Sequence, residues 1–341
     1  MNNNYSKLEQ LFFKATGSSL IDGDCRLKGK NKSVSVIIPV FNNYNLFKKC
    51  YLSLHYQKPL DVIKSITEII VIDDASENRN ELMKFIKEFP DRFKTKVIIL
   101  KQNQGRAIAR NLGILHASNE ILVFLDADMI VAPEFIKNHL ARHNILENIA
   151  IMGLRENIEP LSERISDDQI RIGNIHPTYK KDFRWKKFVP LSWKQIYKNV
   201  DSRRFNKCYQ ILKQSNYLKK YNESNKIGLW GLANNFLTAN ASVARFSAIK
   251  AGGFDPLFRG WGFEDVHFGN KLFLSGQYLI PCLRLTAFHQ EEIRSHGMAQ
   301  FKNNYELYER IKTKKIKYYQ EKSWKRKLNR YRHFYSVLNF S

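Results

Sequence analysis

Ile121-Leu122-Val123-Phe124-Leu125-Asp126-Ala127-Asp128 is the stretch that decides the fold. Five apolar residues in unbroken succession read as a strand buried on both faces, as in a parallel sheet covered by helices. Such a strand delivers its last side chains to the carboxyl edge of the sheet, where open α/β sheets bind ligands. Asp126 and Asp128 stand two residues apart at that edge. Two carboxylates there cost desolvation and mutual repulsion unless a cation or hydrogen-bond donors compensate. A divalent ion shared with the phosphates of a substrate would do so. An Asx turn closing the strand is the simpler account of an isolated Asp-Xaa-Asp, so the neighbouring segments have to decide.

Outward from this run, similar apolar stretches recur. Val34-Ser35-Val36-Ile37-Ile38-Pro39, residues 68–72 and Val97-Ile98-Ile99-Leu100 read as strands. Between them, residues 44–56 show helical spacing through Leu46, Phe47, Cys50 and Leu54, as do residues 80–89 and the segment from Asn103-Gln104-Gly105 to His116. Strands alternating with helices through short loops predict an α/β fold with a doubly wound, mainly parallel sheet. Right-handed crossovers then place the strand-end loops along one edge. Five segments are expected: an N-terminal helix (8–14) and linker over 1–32, a first half over 33–150, a basic insertion over 151–235, a second half over 236–297 and a basic helical tail over 298–341. The second half begins with a strand at 236–240, continues through a helix holding Ala248 and Ile249, and carries a helix at 264–275. In the tail, Trp324, Leu328, Tyr331 and Tyr335 would share one helical face.

The 341 residues, 43% hydrophobic and 13% aromatic, describe a globular chain. No run approaches the ~18 to 20 apolar residues of a membrane span. The opening Met1-Asn2-Asn3-Asn4-Tyr5 lacks a charged region followed by an apolar stretch, so no signal peptide is expected. Cys25, Cys50, Cys208 and Cys282 are far apart in sequence, which argues against a zinc site or disulfide framework and for a reducing cytoplasm. The net charge of +24 is concentrated. Residues 180–226 hold 14 Lys/Arg against 3 Asp/Glu, and residues 302–335 hold 12 against 3. Such stripes suit an anionic partner such as nucleic acid, an acidic glycan or an anionic membrane surface, and equally suit a solubilising face.

Three strand ends carry polar residues: Pro39-Val40-Phe41-Asn42, Asp73-Asp74 and Asp126-Ala127-Asp128. On neighbouring parallel strands they form one crevice suited to a nucleotide. Phe41 offers an apolar wall, Asp73 can accept from a uracil-type imide N–H, and Asp126 can hold ribose hydroxyls or metal. Arg106 and Arg110, four apart on one helical face, can reach a diphosphate or hold the acidic loops in place. There is no Gly-Xaa-Gly-Xaa-Xaa-Gly and no Walker loop.

The order Val-Ser-Val-Ile-Ile-Pro-Val-Phe-Asn, Ile-Val-Ile-Asp-Asp-Ala-Ser, Asn-Gln-Gly-Arg-Ala-Ile-Ala-Arg-Asn-Leu-Gly and Phe-Leu-Asp-Ala-Asp-Met, spread over residues 33–140, resembles the family 2 glycosyltransferases of GT-A fold. The resemblance implies that Asp73 reads the nucleotide base, and that Asp126 and Asp128 contact the ribose and bind Mn²⁺ or Mg²⁺ on a sugar diphosphate. Pro39, Phe41, Asn42, Asn103, Gly105, Arg106, Arg110 and Ala127 are expected around the same donor. Farther along, Gly260-Trp261-Gly262-Phe263-Glu264-Asp265 resembles the acceptor region of β-1,4-galactosyltransferases and chondroitin-type polymerases. That likeness implies Asp265 as catalytic base, Glu264 orienting the acceptor, and Trp261 and Gly262 in the acceptor site. Phe263 stands where the galactosyltransferases have a small residue, so their acceptor specificity does not carry over. The bare alternative is that Glu264 and Asp265 complement a helix dipole. In related GT-A enzymes a histidine after this helix completes the metal site, which implies His289, with His296 as a rival; imidazole, carboxylate and diphosphate oxygens make a sound Mn²⁺ set.

The resulting expectation is an inverting, metal-dependent transferase that moves a sugar from a UDP-sugar to a hydroxyl of a saccharide, lipid-linked saccharide or glycoconjugate, in bacterial-type polysaccharide synthesis. A nucleotidyltransferase would use Asp126 and Asp128 but has no need of the Gly-Trp-Gly-Phe-Glu-Asp segment. A nucleic-acid or anionic-surface binding protein would use the charge and the aromatics alone. The tail is expected either to lie on an anionic membrane at the inner face of the cell or to pack its aromatic face on the core.

Overall fold

Val34-Ser35-Val36-Ile37-Ile38-Pro39-Val40 and Thr67-Glu68-Ile69-Ile70-Val71-Ile72-Asp73 are nearly unbroken apolar runs, and both are buried along their length. They form the centre of one sheet. In the computed structural model, residues 5–20, 23, 25–27, 30–89, 93–158, 236–290, 297–312 and 317–340 are described. The strands are β1 (Val34–Val40), β2 (Thr67–Asp73), β3 (Lys94–Leu100), β4 (Ile121–Leu125), β5 (Met129–Val131), β6 (Ile149–Ile158), β7 (Asn240–Ala244), β8 (Tyr278–Gln290) and β9 (Tyr335–Phe340). They assemble in the order β5-β8-β6-β7-β4-β1-β2-β3-β9. The helices are α1 (Tyr5–Thr16), α2 (Tyr44–His55), α3 (Leu60–Ile66), α4 (Arg79–Glu88), α5 (Arg106–His116), α6 (Phe135–His143), α7 (Arg245–Lys250), α8 (Glu264–Leu274), α9 (Met298–Ile311) and α10 (Glu321–Leu328).

β1 pairs in parallel with both β2 and β4, with Val40 opposite Asp73 and Ile37 opposite Phe124. The three expected strand ends therefore lie side by side on one edge. Beyond this parallel half the sheet is mixed. β7 runs antiparallel to β4 and β6, β5 antiparallel to β8, and β9 antiparallel to β3. The strand expected at 236–240 starts only at Asn240, and Thr238 and Ala239 form a turn before it. Asn240 donates from Nδ2 to the Leu285 carbonyl at 2.7 Å, which anchors that start. The boundary expected at 151 is also displaced, because β6 continues to Ile158; the rest of the basic insertion lies outside the described residues, as does His296.

The tail departs most from its helical reading. The helix ends at Leu328, a 3₁₀ turn covers Asn329–Phe334, and Tyr335–Phe340 becomes a strand. Leu100 pairs with Tyr335 and Thr95 with Phe340. An uncovered β3 would leave a row of backbone donors and acceptors unpaired, and β9 satisfies one side of it. Trp324 and Leu328 are buried, Tyr331 and Tyr335 pack on the core, and Lys322, Lys325 and Arg326 face water. The aromatic face thus lies on the protein, not outward. No described helix is long and apolar enough to cross a membrane. At the other terminus, Leu8 and Phe12 of α1 are buried in the core, and Arg142 donates to the carbonyls of Leu20 and Gly23 at 2.7 and 3.0 Å.

Beneath the sheet, His139 Nδ1 and His143 Nε2 lie 2.8 and 2.9 Å from the Ser242 hydroxyl. Both rings are buried. Burial, with Arg142 nearby and Lys32 acting on His143, lowers both, His143 to about 3. The unfolded chain protonates each near its ordinary value while the folded chain keeps it neutral, so stability is lost as pH falls below about 6.5. We expect His143 to remove about 2 kcal/mol of unfolding free energy by pH 5, with His139 acting in the same direction. Urea titrations at several pH values check this; His143→Gln should flatten the slope.

Candidate active site

The loops after β1 and β2 are stitched together. The Asp74 N–H donates to the Val40 carbonyl at 2.8 Å, the Asn42 N–H to Ser76 Oγ at 3.0 Å, and the Glu77 N–H to Asn42 Oδ1 at 2.9 Å. Asp73 and Asp74 face different ways. The Asp73 carboxylate is fully buried, accepting from the Ser76 N–H at 3.0 Å and Arg79 Nε at 2.9 Å. Asp74 accepts from the Gln104 and Gly105 N–H groups at 2.7 and 2.8 Å and so pins the loop that opens α5. Burial pushes the Asp74 carboxyl up to about 6, against the pull of those two donors.

One turn into α5, Arg110 is buried between two acids. Its guanidinium donates to Asp126 Oδ1 at 2.8 Å and to Glu264 Oε1 at 2.9 Å. Burial opposes ionisation of Asp126, but Arg110 and Arg106 outweigh it and hold the carboxyl down to about 2. Glu264 and Asp265 begin α8, with Glu264 buried and Asp265 partly exposed. Burial and the Glu264 carboxylate push Asp265 up to about 7, despite Arg110 and the Val266 N–H that donates to it at 2.8 Å. The preceding Phe263 adopts a left-handed φ of 68°, a rare conformation for a bulky residue. Its ring packs on Phe301, Tyr305 and Tyr308 of α9, which accounts for a large side chain at this position.

β8 delivers the third group. The pairing of Met129 with His289 places His289 Nε2 3.3 Å from Asp128 Oδ2. His289 Nδ1 is buried without a hydrogen-bond partner among the described residues. Asp126 Oδ1 accepts from Arg110, while Asp128 and His289 make a pair with donor chemistry for a divalent ion. The described residues contain no cluster of three or more such side chains. One carboxylate and one imidazole fit an ion that completes its shell with substrate phosphate oxygens.

Two cavities meet at these side chains. The larger, about 490 Å³, is lined by Pro39, Phe41, Asn42, Asp74, Asn103, Gly105, Arg106, Asp126, Ala127 and Asp128, together with Trp261 and Gln300. The smaller, about 330 Å³, is lined by Arg106, Arg110, Asp126, Trp261, Gly262, Glu264, Asp265 and Phe301 among others. Arg106, Asp126 and Trp261 wall both. Most of the residues expected from the sequence thus converge. Asp73 does not, since its carboxylate is turned to Arg79, and Asp74 takes its place on the wall. Arg110 lines the smaller cavity, where it bridges Asp126 and Glu264, and does not line the larger one. Gln300 and Phe301 escape sequence reading because α9 carries no motif; Asp74 was visible as the second acid of its pair. A third cavity, about 930 Å³, opens at the opposite edge of the strands near Lys64, Lys96 and Phe340, far from these carboxylates.

Comparison with known proteins identifies the family and the fold. Over 271 residues the chain is 26% identical to an uncharacterized glycosyltransferase, YfnE, of Bacillus subtilis strain 168, covering 75% of this chain and 64% of that protein. It is 24% identical to an Escherichia coli chondroitin synthase over 277 residues, covering 76% of this chain and 34% of that one. The chain therefore spans between a third and two thirds of these relatives. Among solved structures, the fold is shared with Staphylococcus aureus TarS 1–349 in complex with UDP-GlcNAc, at TM-score 0.54 and 15% identity, over 89% of this chain and 73% of that one. It is shared also with a mannosyltransferase of Pyrobaculum calidifontis in complex with GDP-Man and Mn²⁺, at TM-score 0.53 and 16% identity, over 95% and 74%. These likenesses place the sheet and its helices in the GT-A fold. Residues 35–223 match the family described as Glycosyl transferase family 2, and the chain belongs to that family.

Proposed function

We propose that this protein is an inverting, metal-dependent glycosyltransferase that moves a sugar from a UDP-sugar to a hydroxyl acceptor. The observation that carries this reading is Arg110, whose two ion pairs join Asp126, which walls both crevices, to Glu264 of the smaller one. A donor pocket and an acid-lined acceptor pocket are thereby held wall to wall. In this reading residues 33–150 hold the donor and residues 236–297 hold the acceptor and the base. The nucleotide lies against Phe41 and Asn42, with Asp74 rather than Asp73 nearest to it. Asp128 and His289 hold the ion, and Arg106 faces the diphosphate. A divalent ion would neutralise the charge that grows on the leaving diphosphate.

Asp265 takes the proton of the acceptor hydroxyl as that oxygen attacks the anomeric carbon. A carboxyl raised by burial and a neighbouring acid is a stronger base when ionised than a solvated one, and suits work near neutral pH. Glu264 is fixed by Arg110 and keeps Oε2 buried with no hydrogen-bond partner among the described residues, an acceptor left for a substrate hydroxyl. Direct displacement by the acceptor oxygen, with Asp265 as its one base, inverts the anomeric centre. The relatives' names, chondroitin synthase among them, support a role in polysaccharide or glycoconjugate synthesis.

Four outcomes are expected. Screening UDP-Glc, UDP-Gal, UDP-GlcNAc, UDP-GalNAc and UDP-GlcA should reveal UDP release with Mn²⁺ that stops in excess EDTA; full activity in EDTA refutes the metal. Asp128→Asn should abolish transfer while the melting temperature stays near that of the wild type. Asp265→Asn should lower kcat about 10²- to 10⁴-fold with donor KM little changed. Because the base works ionised, wild-type kcat should fall as pH drops through about 7, and the Asn variant should lose that limb. A normal kcat with a raised donor KM would instead make Asp265 a binding residue.

A further inference from the structure

α9 belongs to no recognised motif, yet three contacts tie it to the site. Consecutive residues face the two crevices: Gln300 lines the larger and Phe301 the smaller. Asn304, one turn on and 4% exposed, donates from Nδ2 to the carbonyls of Arg259 and Trp261 at 2.8 and 3.0 Å. It therefore holds the turn that carries Trp261. Gly262 has φ of 98°, and a Cβ there would stand 2.7 Å from the Phe301 ring, so this approach of helix to turn requires glycine.

From the cavity that holds Asp265, aromatic rings run outward along this helix. Trp261 and Phe301 have centroids 4.9 Å apart, Phe301 and Phe263 5.0 Å, and Phe263 and Tyr305 5.3 Å. Trp261 is 41% exposed and Tyr305 47% exposed, so the row is open at both ends. A pyranose presents C–H groups on its faces and hydroxyls around its rim. It can lie on an aromatic face while its rim stays in water, as amphipathic rings do at wet interfaces. The row is continuous with the crevice of the candidate base, so what lies on it is the far end of the molecule whose hydroxyl reacts.

We propose that Trp261, Phe301, Phe263 and Tyr305 form an extended saccharide-binding surface, and that the acceptor is an oligosaccharide or longer glycan whose terminal sugar enters the Asp265 cavity. This rests on the transferase reading and goes beyond it by naming the acceptor class and the residues that measure its length. Asn304 acts as a positioning residue for Trp261.

Binding of a glycan array to the full chain with UDP and Mg²⁺, followed by saturation-transfer NMR on mono- to hexasaccharides of each series retained, tests this without requiring turnover. Affinity is expected to rise with length. Tyr305→Ala should remove about two- to tenfold of the gain for the longer members. Phe301→Leu, which keeps bulk against Gly262 but removes the ring, should weaken all members. Phe246→Ala, an exposed ring elsewhere, should change nothing. Absence of saccharide binding, or a length dependence that survives both Tyr305→Ala and Phe301→Leu, overturns the proposal. UDP release by the same wild-type protein keeps the two readings apart. Release without length dependence leaves the transferase standing and removes this surface, whereas no release from any donor removes the transferase itself.

Discussion

The buried guanidinium of Arg110 is the constraint on which the site depends. It is 1% exposed, and burying an unpaired charge of that kind is prohibitive. Asp126 and Glu264 make burial tolerable, and they come from distant parts of the chain, 16 residues separating Arg110 from Asp126 and 154 separating it from Glu264. The Phe254 ring, 5.4 Å from the guanidinium, adds a cation–π contact. Removing one partner of such a buried set typically costs about 3–5 kcal/mol, because the others are left uncompensated. The arrangement therefore does more than add stability. It fixes the distance between the end of β4 and the start of α8, and with it the relation between the two crevices.

Charge around this bridge is graded. Asp126, beside two arginines, stays ionised, whereas Asp265, partly withdrawn from water and adjacent to the Glu264 carboxylate, is raised. Two acids of one site are pushed in opposite directions by their surroundings, which is how a single cleft can hold a fixed negative charge and a proton acceptor together. The Asp73-Asp74 pair is divided by its hydrogen-bond partners. Asp73 is neutralised by Arg79, and Asp74 is turned to backbone N–H groups at the mouth of the crevice.

Antiparallel additions complete what the parallel strands begin. β8 is long enough to pair with both β5 and β6, and its last turn of register brings His289 to Asp128. At the other edge β9 closes β3, and α10 lays Trp324 onto the core next to Gly253. The basic side chains of α10 are left on the surface by this packing, so the charge of the tail is an outward face on a structural element.

Local information determined the parallel strands, the helices between them and the three polar strand ends, two of which carry acids. Unbroken apolar runs and helical spacing are properties of neighbouring residues, and a strand end is where its last residue is. The Gly-Trp-Gly turn and the helix-opening Glu264-Asp265 were visible for the same reason. Pairings between distant segments were not. Whether Asp73 or Asp74 faces the crevice depends on Arg79, and whether Arg110 touches a ligand or bridges two acids depends on where α8 packs. The four aromatic and apolar residues of the tail fit one helical face as well as they fit a helix followed by an edge strand. Only the unpaired edge of β3 decides between these, because backbone hydrogen bonds must be satisfied by whichever segment reaches them. α9 entered the site through packing alone, where Gly262 allows a helix without a motif to close on the turn that carries Trp261.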